Sequence, residues 1–329
     1  MMIHVIGGSG FIGSALCRLL SKQAEDGFNI LDIKESESFP ERYARADVTS
    51  LDSLTQTITP ESTVVNLAAE HRDDVRPLSL YDEVNVEGAK NICAAARVKN
   101  VKRIIFTSSV AVYGFAPIGT DESGKIAPFN DYGRTKYEAE VIFRAWQAEK
   151  PTERSLVVIR PTVVFGEANR GNVYNLLKQL ASGKFVMIGN GNNRKSMAYV
   201  KNIAAFLAFS GSFGAGVHTY NYVDKPDYTM NDLVRKVNRS LERSEAIRLR
   251  LPFVFGYAVG KCFDLLSFVS GKKFPISAIR VKKFCSDSVY NTNIDSLDFQ
   301  PPVSLETAFE DTVQYEFGEE GNKKSEVLS

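Results

Sequence analysis

The sequence predicts an α/β fold, in which a doubly wound parallel sheet is followed by a smaller mixed α/β carboxy-terminal lobe. Two observations predict the sheet. Short β-branched runs alternate with helical patterns through the first half of the chain, and a glycine-rich turn joins the first run to the first helix. After about Gly166 the pattern loosens into helices and short strands, which predicts a second lobe that covers a cleft.

The first predicted element is the strand IHVIG, and strands and helices then follow one another along the chain. In order, they are the helix FIGSALCRLLSKQ, the strands NILDI and STVVNLA, the helix from Leu80 to Asn100, the strand KRIIFTSS, the helix YGRTKYEAEVIFRAWQAEK and the strand SLVVIRPTVVFG. Their apolar, short strands are typical of a parallel sheet covered on both faces. The second lobe is predicted to hold helices near Asn172–Ser182, Lys201–Ser210 and Met230–Leu241, with the strands FVMIG and VHTYNYV.

Composition and charge exclude several classes of protein. The chain has 329 residues, and its 40 lysines and arginines against 39 acidic residues leave a net charge of +1. The field of the whole molecule is therefore too weak to recruit nucleic acid or an anionic membrane, and any anionic ligand must be bound locally. Its four cysteines form no CxxC pair and its three histidines are scattered. We therefore expect no metal site, no disulfide framework and a reducing, cytoplasmic location. The opening MMIHVIGG lacks the basic and apolar regions of a signal peptide.

One apolar stretch, from Leu251 to Gly271, has the length of a membrane span. It contains Lys261 and Asp264 and is interrupted by Gly256 and Gly260. Charged side chains are costly inside a bilayer. The stretch therefore predicts a buried or interfacial helix, and we expect no stable membrane span.

Three glycines in GGSGFIG stand between the first strand and the first helix. At Gly7, Gly10 and Gly13 the missing side chains permit a tight turn and let backbone N–H groups meet a pyrophosphate at the helix N-terminus. Asp32 ends the next strand, 19 residues beyond Gly13, where its carboxylate can accept both ribose hydroxyls of an adenosine and would repel a 2′-phosphate. The pattern favours NAD, while Lys34 leaves NADP open. The alternatives are an ordinary glycine turn and a plain strand-end carboxylate.

A tyrosine and a lysine stand four residues apart in YGRTK. The spacing of Tyr132 and Lys136 places the phenol and the ammonium on one helix face, one turn apart. An ammonium next to a phenol lowers its pKa, which would make Tyr132 a usable acid or base near neutral pH. An isolated match of this kind would more often be two solvated helix residues.

Several motifs occur in one order, and together they resemble the extended short-chain dehydrogenase/reductase family. They are GGSGFIG, the strand-end Asp32, NLAA, VNVEGA, FTSSVAVYG, YGRTK, RPTVVFG, GNGNNRKSMAYVKNIA and SLDFQPPVSLETAF. The resemblance covers the chain to about residue 313. It implies a Rossmann-like sheet, NAD as cofactor and catalysis by a serine, a tyrosine and a lysine. Within the family, the sequence is most similar to nucleotide-sugar epimerases and reductases of surface-polysaccharide pathways, such as those that make O-antigen.

The resemblance assigns roles to individual positions. Ser109, Tyr132 and Lys136 match the catalytic residues, with Ser108 as the alternative serine, although the distance to VYG favours Ser109. The positions that match the cofactor site are Gly7, Gly10, Phe11, Ile12, Gly13, Asp32, Asp47, Val48, Leu67, Ala68, Ala69, Asn85, Tyr132 and Lys136. For substrate binding, Ser109 is joined by Asn172 and Arg194, which fall where related enzymes hold the substrate's diphosphate. The alternatives are a helix N-cap for Asn172 and a surface charge for Arg194.

A departure from the family pattern narrows the chemistry. Family dehydratases place an Asp–Glu pair after the catalytic serine or threonine, whereas this chain has Val110 and Ala111. We therefore expect an NAD-dependent 4-epimerase of a UDP-hexose or UDP-N-acetylhexosamine that acts through a transient 4-keto sugar. The alternatives are a 4-keto-nucleotide-sugar reductase that uses NAD(P)H, a sterol-type dehydrogenase, which the apolar stretch near residue 260 suggests, and a nonenzymatic NAD-binding protein.

The same resemblance predicts the domain organisation and the oligomer. Residues 1–166 are expected to form the NAD-binding domain with the catalytic residues, and 167–317 mainly the substrate lobe, with some segments that return to the sheet. Residues 318–329 are expected to be a polar tail. A homodimer would pair the helices Leu80–Lys99 and Arg134–Lys150. The alanines of the first helix equally suit a helix that packs on its own sheet.

Overall fold

The computed structural model describes residues 2–23, 27–72, 75–183, 185–247, 249–270 and 277–318. The chain divides into two compact units. The first unit is Met1–Val164, Ala198–Val223 and Tyr290–Val303, and the second unit is Phe165–Met197, Asp224–Val289 and Ser304–Ser329. The polar tail predicted at 318–329 lies outside the described residues, except for Gly318. Within the described ranges, no helix has both the length and the apolar character needed to cross a membrane.

Seven parallel strands form the sheet of the first unit. They are β1 (Ile3–Ile6), β2 (Phe28–Asp32), β3 (Tyr43–Arg45), β4 (Thr63–Asn66), β5 (Arg103–Thr107), β6 (Ser155–Pro161) and β10 (Gly216–Tyr222), in the order β10-β6-β5-β4-β1-β2-β3. Between β6 and β10 lie β7 (Val163–Phe165), β8 (Met187–Ile188) and β9 (Arg194–Tyr199). The chain passes from the first unit to the second within β7 and returns within β9.

Helices cover both faces of this sheet. They are α1 (Phe11–Gln23), α2 (Leu51–Thr57), the short α3 (Ser79–Tyr81), a π-helical turn (Asp82–Glu87), α4 (Gly88–Val98), α5 (Asp131–Ala148) and α7 (Val200–Phe209). Because side chains alternate along a strand, Val64 packs into a core with α2, α4 and α5, whereas Val65 packs into a second core with α1 and α7. The doubly wound, Rossmann-like fold predicted from the alternating apolar runs is confirmed.

Two elements expected in the smaller lobe belong to the first unit instead. The strand predicted at VHTYNYV is β10, which pairs in parallel with β6 at the edge of the large sheet, with Val217 opposite Leu156. The helix predicted near Lys201–Ser210 is α7, and its Phe206 is fully buried in the core with α1. The contact of β10 with β6 and that of α7 with α1 each join residues far apart in the chain. A pattern of neighbouring residues could not reveal them.

The helix predicted from Leu80 to Lys99 is divided into α3, the π-helical turn and α4. On α4, Ala89, Ala95 and Ala96 are buried in the core beneath the sheet. These alanines therefore agree with the alternative in which the helix packs on its own sheet. A Cβ added at Gly88 would lie 3.0 Å from a methyl group of Val48, so the glycine permits close packing there. The homodimer stays a prediction.

The second unit contains helices and short strands. They are α6 (Asn172–Ala181), α8 (Met230–Ser240), α9 (Phe253–Ser270), α10 (Ala278–Cys285), α11 (Leu305–Phe317), β8, β11 (Asp224–Thr229) and β12 (Arg250–Leu251). β11 runs antiparallel to β9, with Tyr228 opposite Lys195, and β12 runs parallel to β8. The apolar stretch forms α9, but it is not buried, since Phe268 and Val254 are 88% and 76% exposed.

Candidate active site

The glycine-rich loop connects β1 to α1 by a turn that side chains would obstruct. Gly7 has φ +76°, and a Cβ added there would lie 2.7 Å from the backbone nitrogen of Ala68. A Cβ on Gly13 would lie 2.5 Å from the carbonyl oxygen of Gly7. Helix α1 begins at Phe11, and the first N–H groups of a helix have no acceptor within it. The shape of the loop would fit a pyrophosphate, and binding there stays a prediction.

Asp32 is held next to this loop at the carboxyl end of β2. Its Oδ2 accepts the backbone N–H of Ser9 at 3.0 Å and its Oδ1 accepts that of Lys34 at 3.1 Å. The Ser9 hydroxyl in turn donates to the carbonyl of Lys34 at 2.8 Å. These bonds fix the carboxylate next to the glycine loop; its contact with a ribose stays a prediction.

Five further positions that match the family's cofactor site differ in their surroundings. The Oδ1 of Asp47 accepts both the N–H and the hydroxyl of Thr49, at 2.9 and 2.7 Å, which orients the carboxylate. The side chain of Val48 is 7% exposed and packs in the core against Gly88. Leu67, Ala68 and Ala69 are half-buried where the chain leaves β4.

Asn85 lies on the π-helical turn and is buried. Its Oδ1 accepts the N–H of Glu70 at 2.9 Å, and its Nδ2 donates to the carbonyl of Glu70 and to the hydroxyl of Thr135, both at 3.0 Å. Thr135 stands on α5 between Tyr132 and Lys136. Asn85 therefore ties the loop after β4 to the helix that bears the predicted catalytic pair.

The side chains of Ser109 and Tyr132 lie near each other, and the Ser109 hydroxyl favours the phenolate of Tyr132, which acts to lower the pKa of the phenol. Ser109 precedes the 3₁₀ turn Val110–Tyr113, and its Oγ accepts the N–H of Ala111 at 3.1 Å. Tyr132 stands in the first turn of α5, which begins after Asn130, whose Oδ1 accepts the N–H of Gly133 at 2.9 Å. Strand β5 and helix α5 thus bring the two predicted catalytic hydroxyls together.

The pKa of Tyr132 is raised above its usual value, contrary to the expectation that Lys136 lowers it. Burial disfavours the phenolate, and the hydroxyl of Ser109 opposes this effect only in part. Lys136 is 3% exposed, and its burial lowers the pKa of its ammonium to about 7, with Glu140 acting in the opposite direction. The expectation was wrong because burial disfavours both charged forms, the phenolate of Tyr132 and the ammonium of Lys136. The Lys136 Nζ lies 4.5 Å from the centre of the Phe106 ring.

The two serines at the end of β5 are distinguished by their partners. The hydroxyl of Ser108 donates to Oε1 of Glu140 at 2.6 Å, and Ser108 is buried. Ser109 is instead half-buried and lies near Tyr132, whose phenolate it favours. The geometry therefore supports Ser109 as the serine next to the reacting group.

A buried polar network behind these residues was missed by the sequence analysis. Glu140 is fully buried, and its carboxylate receives two hydrogen bonds from the guanidinium of Arg160, at 2.8 and 2.6 Å. Arg160 also donates to the hydroxyl of Tyr113, which donates to Oδ1 of Asn221 at 2.8 Å. A signal was present in the sequence, since Glu140 follows Lys136 by one helical turn, but its partner Arg160 lies on another element.

The two predicted substrate residues lie in the second unit. Asn172 is the first residue of α6 and is exposed, while Gly171 occupies the N-cap position, so the N-cap alternative for Asn172 is wrong. Arg194 begins β9 with an exposed side chain, and its backbone N–H donates to Asp287 at 2.7 Å. Their contact with substrate stays a prediction.

Comparisons with known proteins agree with this arrangement. A model of the NAD dependent epimerase/dehydratase family matches residues 3–221. A protein of Escherichia coli O157:H7, described as N-acetyl-alpha-D-glucosaminyl-diphospho-ditrans,octacis-undecaprenol 4-epimerase, is 50% identical over 319 residues, which are 96% of this chain and 95% of the relative. A UDP-glucose 4-epimerase of Vibrio cholerae is 26% identical over 95% of this chain and 94% of its own length.

Solved structures show the same fold. The structure of a UDP-glucose 4-epimerase from Thermus thermophilus in complex with NAD has a TM-score of 0.75 at 19% identity, covering 97% of this chain and 100% of that one. The match of the family model, the 50% identical relative and the paired Ser109 and Tyr132 lead to one conclusion. The chain belongs to the NAD-dependent epimerase/dehydratase family and is an enzyme of the extended short-chain dehydrogenase/reductase type.

Proposed function

We propose that this protein is an NAD-dependent 4-epimerase of an N-acetylhexosamine linked through a diphosphate to a polyprenol. The observation that carries the proposal is the 50% identity, over almost the full length of both chains, to an epimerase named for such a substrate. The UDP-sugar expected from the sequence gives way to a lipid carrier because the UDP-glucose 4-epimerase of Vibrio cholerae is only 26% identical.

The first unit fits NAD. A Cβ on Gly7 or Gly13 would meet the backbone at 2.7 or 2.5 Å, so the loop can bring only bare backbone to the pyrophosphate. The oriented carboxylate of Asp32 fits the adenosine ribose. Bound NAD supplies a hydride acceptor that later returns the hydride, together with a positive charge on its nicotinamide ring.

The proton chemistry falls to Tyr132 and Ser109. In the oxidation of C4 to a ketone, the phenolate of Tyr132 would take the C4 hydroxyl proton, while bound NAD would accept the hydride. Ser109, which lies near Tyr132, would hold the same oxygen. To give the C4 epimer, the hydride would return to the opposite face of the ketone and Tyr132 would return the proton. The positive charge of a nicotinamide ring next to Tyr132 would favour the phenolate and so oppose the rise in the pKa of Tyr132 that burial causes.

The residues after Ser109 support epimerisation over dehydration. Val110 and Ala111 are half-buried in the 3₁₀ turn, and neither side chain can donate or accept a proton. Elimination of water across C5 and C6 needs a second acid and base. Oxidation and reduction at one carbon need only the groups that the first unit provides.

The test uses purified full-length protein, catalytic NAD and two donors, N-acetylglucosaminyl-diphospho-polyprenol in detergent and UDP-N-acetylglucosamine. After incubation, the sugar is released by mild acid and the hexosamines are separated. We expect conversion to the N-acetylgalactosamine epimer on the lipid carrier and little or none on UDP. A Tyr132→Phe variant provides the matched control.

Three outcomes would contradict parts of this proposal. Conversion of UDP-N-acetylglucosamine alone would reject the lipid carrier. Stoichiometric consumption of NADH or NADPH with a 4-keto substrate, without epimerisation, would identify the reductase that the sequence left as an alternative. Full conversion by Tyr132→Phe would reject the assigned proton transfer.

A further inference from the structure

Helix α9 presents large apolar side chains to solvent along its whole length. Val254, Phe255 and Leu265 are 76%, 66% and 64% exposed. Leu266 and Phe268 are 52% and 88% exposed. A contiguous apolar surface of this kind is unusual on a water-facing helix and marks an interaction site.

The packing of α9 explains why these side chains face outward. Among the residues of α9 whose burial is described, Gly256 and Gly260 are the buried ones. A Cβ on Gly256 would lie 2.6 Å from the side chain of Ile188, and one on Gly260 would lie 2.7 Å from the backbone nitrogen of Ala278. The helix therefore packs on the second unit through these glycines and turns Phe255, Phe268 and both leucines to solvent, the reverse of an ordinary amphipathic surface helix.

The apolar surface lies in a strongly basic part of the chain. Between Leu249 and Cys285 the sequence has seven lysines and arginines and one acidic residue, Asp264, whereas the whole chain has a net charge of +1. The basic residues are Arg250, Lys261, Lys272, Lys273, Arg280, Lys282 and Lys283. Lys282 and Lys283 stand in the last turn of α10, which follows α9. Asp264 accepts the backbone N–H of Ala278 at 3.2 Å.

Apolar side chains beside basic ones are the combination that binds anionic phospholipid surfaces. We propose that α9, with the exposed Leu249 and Leu251 before it, forms a docking surface for an anionic bilayer, with the helix lying in the interface plane. The inference rests on the proposed function in one respect, because a polyprenol-linked sugar is held in a membrane and its enzyme must reach it there.

A second copy of the chain fits this surface less well than a bilayer does. A two-fold contact places the same patch opposite itself, so the basic residues around α9 would face one another across the interface. Like charges brought together in this way oppose association. Anionic lipid headgroups instead complement the charge while the acyl region receives the phenylalanines and leucines.

The test is flotation of the full-length protein with vesicles of phosphatidylcholine alone or with about one third phosphatidylglycerol, a content at which basic residues contribute measurably. We expect binding to the anionic vesicles that weakens with salt. The triple variant Val254→Ser, Leu265→Ser and Phe268→Ser should lower partitioning about tenfold or more. Lys282→Gln with Lys283→Gln should lower it about tenfold on anionic vesicles only.

A matched control is the pair Val98→Ser and Ile118→Ser in the first unit, whose side chains are 69% and 67% exposed, and it should bind as the wild type does. Wild-type protein that does not float, or a triple variant that floats equally well, would overturn the docking surface. A third result would also overturn it: wild-type protein that does not bind vesicles but sediments as a dimer, together with a triple variant that sediments as a monomer.

Flotation requires no turnover, so this test is independent of the epimerase assay. Epimerisation in detergent by a protein that ignores vesicles would reject the docking surface alone. Vesicle binding by a protein that epimerises neither donor would reject the proposed function while the docking surface stands.

Discussion

The hydroxyl of Ser108 donates a 2.6 Å hydrogen bond to the carboxylate of Glu140, and this bond joins the end of β5 to the middle of α5. Ser109 directly follows Ser108, and Lys136 precedes Glu140 by one turn. The guanidinium of Arg160 on β6 completes the carboxylate's hydrogen bonds. Glu140 thus helps to set the position of Ser109, the predicted catalytic serine, relative to the helix that bears Tyr132 and Lys136.

Replacing Glu140 by glutamine is expected to destabilise the fold. The variant leaves the guanidinium of Arg160, which is 4% exposed, without its buried counter-charge. Breaking a buried ion pair costs about 3–5 kcal/mol, measured as the free energy of unfolding in urea. Since Glu140 raises the pKa of Lys136, its loss should also move that pKa further down.

The control for this prediction is Glu138→Gln on the same helix. Glu138 pairs with Arg134 at 3.0 Å, but its side chain is 41% exposed, and exposed pairs contribute only about 0–1 kcal/mol. Equal losses from the two variants would show that burial of Glu140 does not matter. An unchanged pH–rate profile in Glu140→Gln would contradict its electrostatic link to Lys136.

Tyr132→Phe is expected to lower the rate of epimerisation by about 100- to 10,000-fold, the usual contribution of a positioned acid or base. Ser109→Ala should also slow the reaction, because it removes the hydroxyl that favours the phenolate of Tyr132. Each change removes a single hydroxyl and leaves the glycine loop, Asp32 and Lys136 in place, so calorimetric titration should give an affinity for NAD close to that of the wild type. Loss of NAD binding together with activity would instead assign these hydroxyls a structural role.

Burial of Lys136 is expected to make stability depend on pH. Its pKa is lowered to about 7 in the folded protein, against about 10.4 in an unfolded chain. Between these values the unfolded chain binds more protons, so the free energy of unfolding rises with pH, by up to about 1.4 kcal/mol per unit. Below pH 7, and again above the pKa of lysine in the unfolded chain, the contribution of Lys136 to the free energy of unfolding does not change with pH.

This slope is measured by comparison with Lys136→Met, which removes the titrating group. The difference in unfolding free energy, wild type minus variant, should rise between pH 7 and 9. Lys178→Met, at an exposed position on α6, serves as the control, since a solvated side chain changes its surroundings little on unfolding. A flat difference for Lys136→Met would mean that its ammonium stays charged in the folded state.

Much of the first unit could be predicted from local pattern. Two features depend only on residues that are close in sequence. They are the apolar runs of strand length, such as the fully buried β6, and the glycine loop. The placement of Tyr132 and Lys136 one turn apart on α5 follows from helix periodicity alone. The distance to VYG favours Ser109 over Ser108, but the partner of Ser108, Glu140, lies across the fold and could not be predicted.

Features that depend on tertiary contacts could not be predicted. The raised pKa of Tyr132 is set by burial, which YGRTK does not encode. The saturated hydrogen bonds of Asn85 join three separate segments. For α9, composition predicted a helix, but the orientation of its faces was decided by Gly256 and Gly260 against neighbouring backbone and side chains.

Gly13→Ala should damage both the loop and cofactor binding. The added Cβ would lie 2.5 Å from the Gly7 carbonyl oxygen and 2.5 Å from the Gly8 Cα, so the turn must open and its N–H groups move. We expect at least a tenfold loss of NAD affinity by titration and about 1–3 kcal/mol of lost stability from overpacking. At Gly211, a Cβ would meet no other part of the described chain within 4 Å, so Gly211→Ala should change neither value. Wild-type NAD affinity in Gly13→Ala would show that the pyrophosphate is not held by this loop.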